Sequence, residues 1–532
     1  MKIILFAFAG LFLFLASCSK EQLNKINTDP TKSSAENFNP DYLLATAQLR
    51  SGNIGYNQLL YAAPMMQILA STYFYYNNGD KYVNTANFTA YQGALFESSY
   101  SEVSTIREMQ RLAKEKDSVA YSNLINIGNI MFVLIMQRAT DIYGDIPYFQ
   151  AAKAKEGIKY PVYDRQENIY PAMLKDLDAA INGLDDTRPK PIADLYYNGD
   201  LAKWRKFGRS LMVRIAMRLV KVNPDLARTW VEKAASEGTF TNLNDDAILP
   251  TDATSFNGRN SIAIAMRTTS DYREVRWSKT FIDFLRNNDD PRLGVIAEIP
   301  PPGLSNNSDQ TLTGDTDPDI QEGLPNGQDL LGGATDVRNH KDYPGASGTG
   351  ADAAPLGNYS RPRTSLYLKL DAPVFILTFA GTELLLAEAK IRGWNIPGSA
   401  ANHYSNGVSA ALQSLSQLDA AATITPEVIT SYVKTHPLNE SDPERAIEMI
   451  NEQYWATTGS TFDFIEAWLN WKRSGYPRLT PVNYPGNSTN GTIPRRFPYL
   501  STEVLNNPDN YKSAVSRLTG GDQLTSRVWW DR

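Results

Sequence analysis

The sequence predicts a mainly α-helical protein, with a scaffold of tetratricopeptide-like helical hairpins and long irregular loops. Three observations support this fold class: apolar residues recur every three or four positions, several such segments adjoin in pairs, and strand-like alternation is sparse. A clean repeat of about 34 residues is not visible, so the prediction concerns paired helices and not a regular repeat array.

The clearest helical pattern begins at Trp204. Apolar residues follow it at spacings of three or four and form one stripe along a helix: Phe207, Leu211, Ile215, Leu219 and Val222. The members of a second stripe are Ile169, Met173, Leu177, Ile181 and Leu184. Asp164 and Glu167 suit a capping box for this second helix. Pro171 lies beyond its first turn and predicts that the helix starts later or kinks.

Further helices are expected near Ser122–Ala139, Pro224–Ser236, Val374–Arg392, Ala401–Leu415 and Glu444–Trp455. The segment Val374–Arg392 is the most apolar of these. It carries Glu383, Glu388 and Lys390, which favour a buried helix of a folded domain over a membrane span. Glu388 in such a helix needs a buried partner, for which an arginine is suited.

Residues 1–17 have the pattern of a lipoprotein signal peptide. Lys2 gives a basic start, the run from Ile3 to Leu15 is apolar, and small residues precede Cys18, the only cysteine of the chain. This ending resembles a bacterial lipobox, in which the chain is cut before the cysteine and the cysteine is acylated. Several acyl chains, at ~0.8 kcal/mol per buried methylene, would anchor the protein without a spanning helix. The alternative is an ordinary secretory signal with an accidental cysteine.

The chain is expected to have three parts: the signal peptide at residues 1–17, a lipidated tether at 18–40 and a single domain at 41–532. An acid at Glu21, close to the anchor, resembles the export signal of lipoproteins that reach the outer face of the outer membrane. A solvated tether is the alternative interpretation. Within the domain, residues 300–362 are rich in Gly, Pro, Asp and Asn, and a loop of this length is usually functional or disordered.

Composition and motifs exclude several classes of function. The net charge of −6 comes without a basic stripe, which argues against nucleic acid as a partner. A single cysteine allows neither an intrachain disulfide nor a cysteine-based zinc site, and the three histidines lie far apart in the sequence. No nucleophile elbow, P-loop, zinc-protease motif or dinucleotide glycine fingerprint occurs. The sequence therefore predicts that the protein is not an enzyme.

One acidic segment is a candidate calcium site. Asp315, Asp317 and Asp319 alternate, as carboxylates do in calcium loops. Ile320 stands where such a loop needs glycine, and Pro318 is atypical. The alternatives are a calcium site and a solvated acidic turn, and no other cofactor is indicated.

The segment from Tyr73 to Tyr82 is the candidate ligand site, because it combines flat aromatic groups with polar ones around an Asn-Asn-Gly turn. The residues expected to contact a ligand are Tyr73, Tyr75, Tyr76, Asn77, Asp80 and Tyr82. The alternative is a helix end packed into the core. The loop at residues 300–362 has few aromatics and is expected to rim the site or to contact a partner protein.

Short motifs along the whole chain resemble those of one family. The first are Ile26-Asn27-Thr28-Asp29-Pro30, with Asp29 in place of the usual Asn, Asp141–Tyr148 ("D-x-Y-G-D-I-P-Y"), the helix from Trp204 to Leu219, and Asp290-Pro291-Arg292. The others are Glu383–Trp394, Arg473–Pro477 ("R-x-G-Y-P"), Pro494-Arg495-Arg496 and the terminal Arg527–Asp531. In this order they resemble the SusD/RagB family, in particular its SusD-like branch of nutrient-binding outer-membrane lipoproteins.

The resemblance implies a tetratricopeptide-like scaffold that carries an irregular ligand face. It also implies a partner, a SusC-like TonB-dependent transporter, over which the lipoprotein acts as a lid and to which it passes a captured oligosaccharide. A peptide ligand of the same kind of transporter is the first alternative, followed by a surface glycan hydrolase and by a helical adaptor with only protein partners. The implied location is the outer membrane, lipid-anchored and facing the exterior. Ligand contacts vary within the family, so none is carried over to this chain.

Overall fold

Helices of nine or more residues carry the fold. The computed structural model describes residues 38–532, apart from the side chains of residues 86–89. The signal peptide, Cys18 and most of the tether lie outside the described residues. The long helices are α1 (Asp41–Gly52), α2 (Ala86–Asp117), α3 (Ser122–Tyr143), α4 (Gln166–Asn182), α5 (Leu201–Met217), α6 (Pro224–Glu237), α7 (Lys279–Asn287), α8 (Phe379–Ile391), α9 (Ala400–Ser414), α10 (Pro426–Thr435), α11 (Pro443–Ser460), α12 (Phe464–Ser474) and α13 (Pro508–Ser516).

Neighbours in sequence pack against one another along most of this series. Helix α2 packs on α3, α3 on α4, α4 on α5 and α5 on α6; later α8 packs on both α9 and α11, and α11 on α12. Each helix turns its apolar stripe towards its neighbours, as the stripe from Trp204 shows, whose Trp204, Phe207, Leu211 and Ile215 are fully buried. The predicted mainly α fold with paired helices is confirmed.

Short elements fill the connections. Strands β1 (Leu69–Ser71), β2 (Ala247–Leu249), β3 (Val275–Trp277), β4 (Ala297–Glu298), β5 (Arg361–Pro362) and β6 (Val374–Leu377) form antiparallel pairs, β1 with β3, β2 with β6 and β4 with β5. The short helices are Tyr56–Leu59, Ala62–Met65, Asn77–Asp80, Ser261–Met266, Thr269–Glu274, Leu293–Ile296, Leu304–Ser308, Thr364–Tyr367 and Glu503–Asn506.

The structure corrects two local predictions. The segment Val374–Arg392 is not one helix, because β6 pairs with β2 before Thr378 caps α8 by accepting from the Gly381 N–H. Asp164 does not cap α4, since its carboxylate accepts from the backbone N–H groups of Tyr148 and Phe149 instead. Helix α4 starts at Gln166 and continues through Pro171.

Buried arginine–carboxylate pairs join distant segments of the chain. Arg473 donates from both terminal nitrogens to the two carboxylate oxygens of Glu388, each at 2.7 Å, so α12 is tied to α8. Arg218 at the end of α5 donates to both oxygens of Glu466, each at 2.7 Å, and to Asp141 at 3.1 Å. The arginine partner expected for Glu388 is therefore present, and several family motifs meet in the core.

The long loop at residues 300–362 is folded against the rest of the domain. It has a small apolar cluster of its own, made by Leu324, Val337, Leu356 and Tyr359 around Ala70 of β1. Backbone bonds fix its path, among them those from Lys279 to Leu324 at 2.9 Å and from Ser360 to Glu322 at 2.7 Å. The loop is thus a structured part of the domain.

Residues Asp41–Arg532 form one unit by their internal contacts. Within the part of the chain that the structure describes, no helix is both long and apolar enough to cross a membrane.

Candidate ligand-binding site

The tyrosine segment follows β1 and folds as a 3-10 turn, Phe74–Tyr76, and one helical turn, Asn77–Asp80. Such tight local turns alternate side chains between the interior and the surface. Phe74 is 64% exposed, and Tyr73, Tyr75 and Asn77 are half-buried. These four residues give the segment an outward face with aromatic and amide character.

The other members of the predicted site are buried. Tyr76 and Tyr82 are each 1% exposed, and Asp80 is not exposed at all. The sequence prediction is therefore corrected for these three residues, because their side chains have no surface to offer a ligand. The outcome is a division of the segment between the surface and the core.

Asp80 holds the segment to the long loop. Its carboxylate lies 2.8 Å from Lys81 Nζ, and both side chains are fully buried. It accepts from Asn326 Nδ2 at 2.7 Å and from the Gly327 N–H at 3.0 Å. This ion pair fixes the base of the tyrosine segment and is structural.

The outward tyrosines belong to a larger group, called here the aromatic cluster: Tyr56, Tyr73, Phe74, Tyr75 and Tyr91. The Tyr75 ring lies 5.9 Å from that of Tyr56 and 6.2 Å from that of Tyr91, edge to face, and 6.1 Å from that of Tyr73, stacked. Offset and edge-on contacts of this kind are favourable and hold each ring in one orientation. The cluster is a fixed, partly exposed aromatic surface.

Hydrogen bonds hold the hydroxyl groups of Tyr56, Tyr75 and Tyr91 in the cluster. Tyr56 donates its hydroxyl to Asp271 Oδ2 at 2.6 Å, and the hydroxyls of Tyr75 and Tyr91 lie 2.9 Å apart. Burial raises the pKa of Tyr75 to about 12, so its hydroxyl is neutral at physiological pH. One hydroxyl of the Tyr75–Tyr91 pair keeps a free O–H, which gives the aromatic surface a hydrogen-bond donor.

An open cleft adjoins the cluster. It has a volume of about 460 Å³ and lies between α1, α2 and the short helix Ser261–Met266. Tyr56 and Tyr91 form part of its wall. Other lining residues include Arg50, Asn57, Glu102 and Ile264. Flat rings beside a few polar groups are what a ligand with apolar faces and many hydroxyls requires.

Sequence reasoning missed Tyr56, Tyr91 and Glu102. Tyr91 and Glu102 lie within α2, where an inward residue cannot be told from a cleft residue by spacing alone. Tyr56 follows Gly55 at a break after α1, and only a Gly-Tyr-Asn turn signal was available there. Their proximity to Tyr75 depends on tertiary packing.

The acidic segment at Asp315, Asp317 and Asp319 forms turns. Asp315 Oδ1 accepts from the Asp317 N–H, and Asp317 Oδ1 from the Asp319 N–H, each at 3.0 Å. Residues 38–532 contain no group of three His, Cys, Asp or Glu side chains that could hold a metal ion. These bonds describe a series of acidic turns, and calcium binding at this segment stays a prediction.

Comparison with known proteins identifies the family. A family model described as SusD-like, starch-binding and associating with the outer membrane, matches residues 32–500. The chain therefore belongs to the SusD-like family, as its motifs indicated. No curated protein matches the chain.

Solved structures share the fold of this chain. A chitin-binding protein shares 30% identity and a TM-score of 0.78, over 93% of this chain and 100% of that one. A SusD-like protein, Bacteroidetes AC2a, shares 23% identity and a TM-score of 0.79, over 93% and 100%. A chitin-binding SusD homologue from Flavobacterium johnsoniae shares 21% identity and a TM-score of 0.70, over 92% and 98%. The last two likenesses establish the fold alone.

Proposed function

We propose that this protein captures oligosaccharide at the aromatic cluster and the adjoining cleft, and passes it to a SusC-like TonB-dependent transporter. The observation that carries the proposal is the cluster itself. Its rings are held by edge and stacking contacts and remain partly exposed beside an open cleft of about 460 Å³. Pyranose rings have apolar faces that stack on such surfaces. Membership of a family described as starch-binding and the 30% identity to a chitin-binding protein favour a glycan over a peptide.

The proposal assigns binding without turnover. The cluster offers ring faces and a hydroxyl donor, which position a ligand but do not cleave it. The full chain is incubated with the oligosaccharides and peptides that it binds. Mass spectrometry should then show these ligands uncleaved. Cleavage that disappears in a single point variant would instead make the protein an enzyme.

The binding role is tested with the full chain in detergent, by calorimetry against a panel of starch, cellulose and chitin oligosaccharides and of peptides. Tyr75→Ala should weaken the binding of the best glycan by about 2 kcal/mol, roughly a thirtyfold loss in affinity, because it removes the ring at the centre of the cluster. Tyr160→Ala is the matched control, since Tyr160 is 65% exposed and lies outside the cluster. If the Tyr73, Tyr75 and Tyr91 alanine variants all bind glycan normally, the aromatic cluster is not the binding site. If the protein prefers peptides to glycans, the proposed class of ligand is wrong.

The transporter is a separate part of the proposal. A protein that covers a transporter barrel must contact it over a broad surface, because stable interfaces bury on the order of 1,200–2,000 Å² or more. Gentle solubilisation of the native membrane and pull-down of the anchored protein should recover a TonB-dependent barrel. Repeated recovery of the protein alone would favour a solitary receptor or an adaptor.

A further inference from the structure

A groove with a surplus of positive charge adjoins the cleft. It has a volume of about 1010 Å³ and lies between the start of α1, the second half of α2 and the turn at residues 152–156. We call it the basic groove, because its charged lining residues are Arg107, Arg111, Lys114, Lys153 and Lys155 against Glu108 and Glu156. A concave surface lined mostly by one sign of charge concentrates ions of the opposite sign.

Part of this positive charge is neutralised within the protein. Glu108 accepts from Arg111 Nη2 and from Lys155 Nζ, each at 2.7 Å. These bonds lower the pKa of Glu108 to about 2, so its carboxylate is ionised and occupied. Arg111 also pairs with Glu115 at 2.6 Å, at the end of the groove. Arg111 and Lys155 are therefore held in place and contribute little free charge.

The other three cations of the groove have no carboxylate partner. Lys114 and Lys153 form no ion pair within the described range 38–532, and both side chains reach solvent. Arg107 donates to Gln110 Oε1 at 3.1 Å and lies over the Phe132 ring at 4.2 Å, which fixes its guanidinium group without neutralising it. The groove therefore offers three positive charges to a ligand.

The basic groove and the cleft form one continuous surface along α2. Ser101 lines both of them. Ser98 in the cleft and Thr105 in the groove lie three and four positions from Ser101, on the same face of the helix. From Tyr91 of the aromatic cluster to Arg111 the helix rises about 30 Å, at ~1.5 Å per residue. A single extended ligand can therefore contact the aromatic rings and the cations together.

We propose that the captured oligosaccharide carries carboxylate or sulfate groups, and that the basic groove binds these groups while its sugar rings stack on the aromatic cluster. The inference rests on the proposed glycan-binding function and specifies the class of glycan. Ammonium and guanidinium groups donate charge-assisted hydrogen bonds to anionic oxygens, and these bonds are stronger than those to neutral hydroxyl groups. Continuity with the aromatic cluster favours a glycan over a protein as the source of the anions.

Two matched pairs of ligands test the inference by calorimetry with the full chain in non-ionic detergent. Hexagalacturonate and its methyl ester differ in carboxylate charge, and sulfated and unsulfated maltohexaose differ in sulfate charge. At least one charged ligand should bind roughly tenfold more tightly than its neutral partner at low salt. Raising the salt concentration from about 0.05 M to about 0.5 M should remove most of this preference, because salt screens the charges.

Variants of exposed residues connect the preference to the groove. Lys114→Gln and Lys153→Gln should each weaken the preferred charged ligand roughly threefold and leave its neutral partner within about twofold. Glu156→Gln removes an exposed acid from the groove and should tighten the charged ligand roughly twofold, a gain that a folding defect would not produce. Lys434→Gln, exposed on α10 and outside the groove, is the control and should match the wild type.

The possible failures are distinguishable. The inference is overturned, and glycan capture stands, if the wild type prefers neither charged ligand or if the lysine variants keep the full preference. It is also overturned if the double lysine variant binds every oligosaccharide normally but no longer recovers the transporter, since the groove is then a protein contact. Binding of no oligosaccharide, charged or neutral, by the wild type overturns both the inference and the proposed function.

Discussion

At the scale of single residues, the core of this protein depends on buried carboxylates that are paired with arginines. Glu388 is paired with Arg473 and, on its own helix, with Arg392. Burial is the largest single effect on Glu388 and raises its pKa. The charges and hydrogen bonds of the two arginines together outweigh burial and hold the pKa well below its usual range. A depressed carboxyl pKa stabilises the fold at neutral pH, and this stability is lost as the pH falls through the folded pKa.

Glu388→Gln should lower the free energy of unfolding by about 3–5 kcal/mol, because it leaves Arg473 buried without a counter-charge. Urea unfolding at pH 7.5 measures the loss. Arg445→Gln is the control, since Arg445 pairs with Glu448 at a side-chain exposure of 44% and such pairs contribute about 1 kcal/mol or less. Similar small losses in both variants would show that the Glu388 pair is not a principal support of the core.

Asp246 predicts a pH effect of opposite sign. It is 6% exposed, it accepts from the Phe379 N–H at 2.6 Å, and burial raises its pKa to about 7. A raised pKa gives stability that is present below the unfolded value of about 4 and is lost as the pH rises through 7. Asp246→Asn keeps the acceptor, so the variant should gain about 2–3 kcal/mol relative to wild type between pH 5 and pH 8. If the difference in unfolding free energy between the variant and the wild type is the same at pH 5 and pH 8, the raised pKa of Asp246 is contradicted.

At the scale of elements, the Asp80–Lys81 pair connects the tyrosine segment to the loop at residues 300–362. Asp80→Ala leaves Lys81 buried and removes the acceptor of Asn326 and Gly327. Hydrogen exchange measured by mass spectrometry should become faster in residues 321–345 and 69–85 and stay unchanged in α5. Asp342→Ala, in the exposed part of the same loop, is the control. Wild-type exchange rates in the Asp80 variant would mean that other contacts hold the loop.

Elements were predictable where one period extended over several turns. The stripe from Trp204 predicts α5, because its Trp204, Phe207, Leu211 and Ile215 face the core. Its last two members, Leu219 and Val222, lie beyond the end of the helix at Met217. For Val374–Leu377 the sequence predicts a helix, because so short an apolar run has no period that separates a buried strand from a helix. This segment is a strand because it pairs with β2, whose residues lie more than a hundred positions earlier in the chain.

The ligand site was predictable only in part for the same reason. Composition pointed to the segment from Tyr73 to Tyr82, and local turns then divided it, with Tyr75 outward and Tyr76 inward. Tyr56 and Tyr91 join Tyr75 through tertiary packing that sequence spacing does not reveal. The motifs, in contrast, identified the family directly, because their order along the chain is specific.

At the scale of the whole molecule, attachment to the membrane is a prediction that rests on Cys18. Cys18→Ala should move the protein from the membrane fraction to the soluble fraction and abolish labelling by a fatty acid, because the acyl chains provide the only anchor proposed. Lys20→Ala, beside the cysteine, is the control and should keep both. Fatty-acid label retained in the Cys18 variant would contradict lipidation at this residue.

The central claim is that the aromatic cluster and its cleft capture an oligosaccharide. A crystal structure of the protein with the tightest-binding oligosaccharide of the panel tests it most directly. The account predicts sugar rings stacked on Tyr75 and Tyr91, with the oligosaccharide continuing into the adjoining cleft. An oligosaccharide bound on another face, with the cluster and the cleft uncontacted, would contradict it.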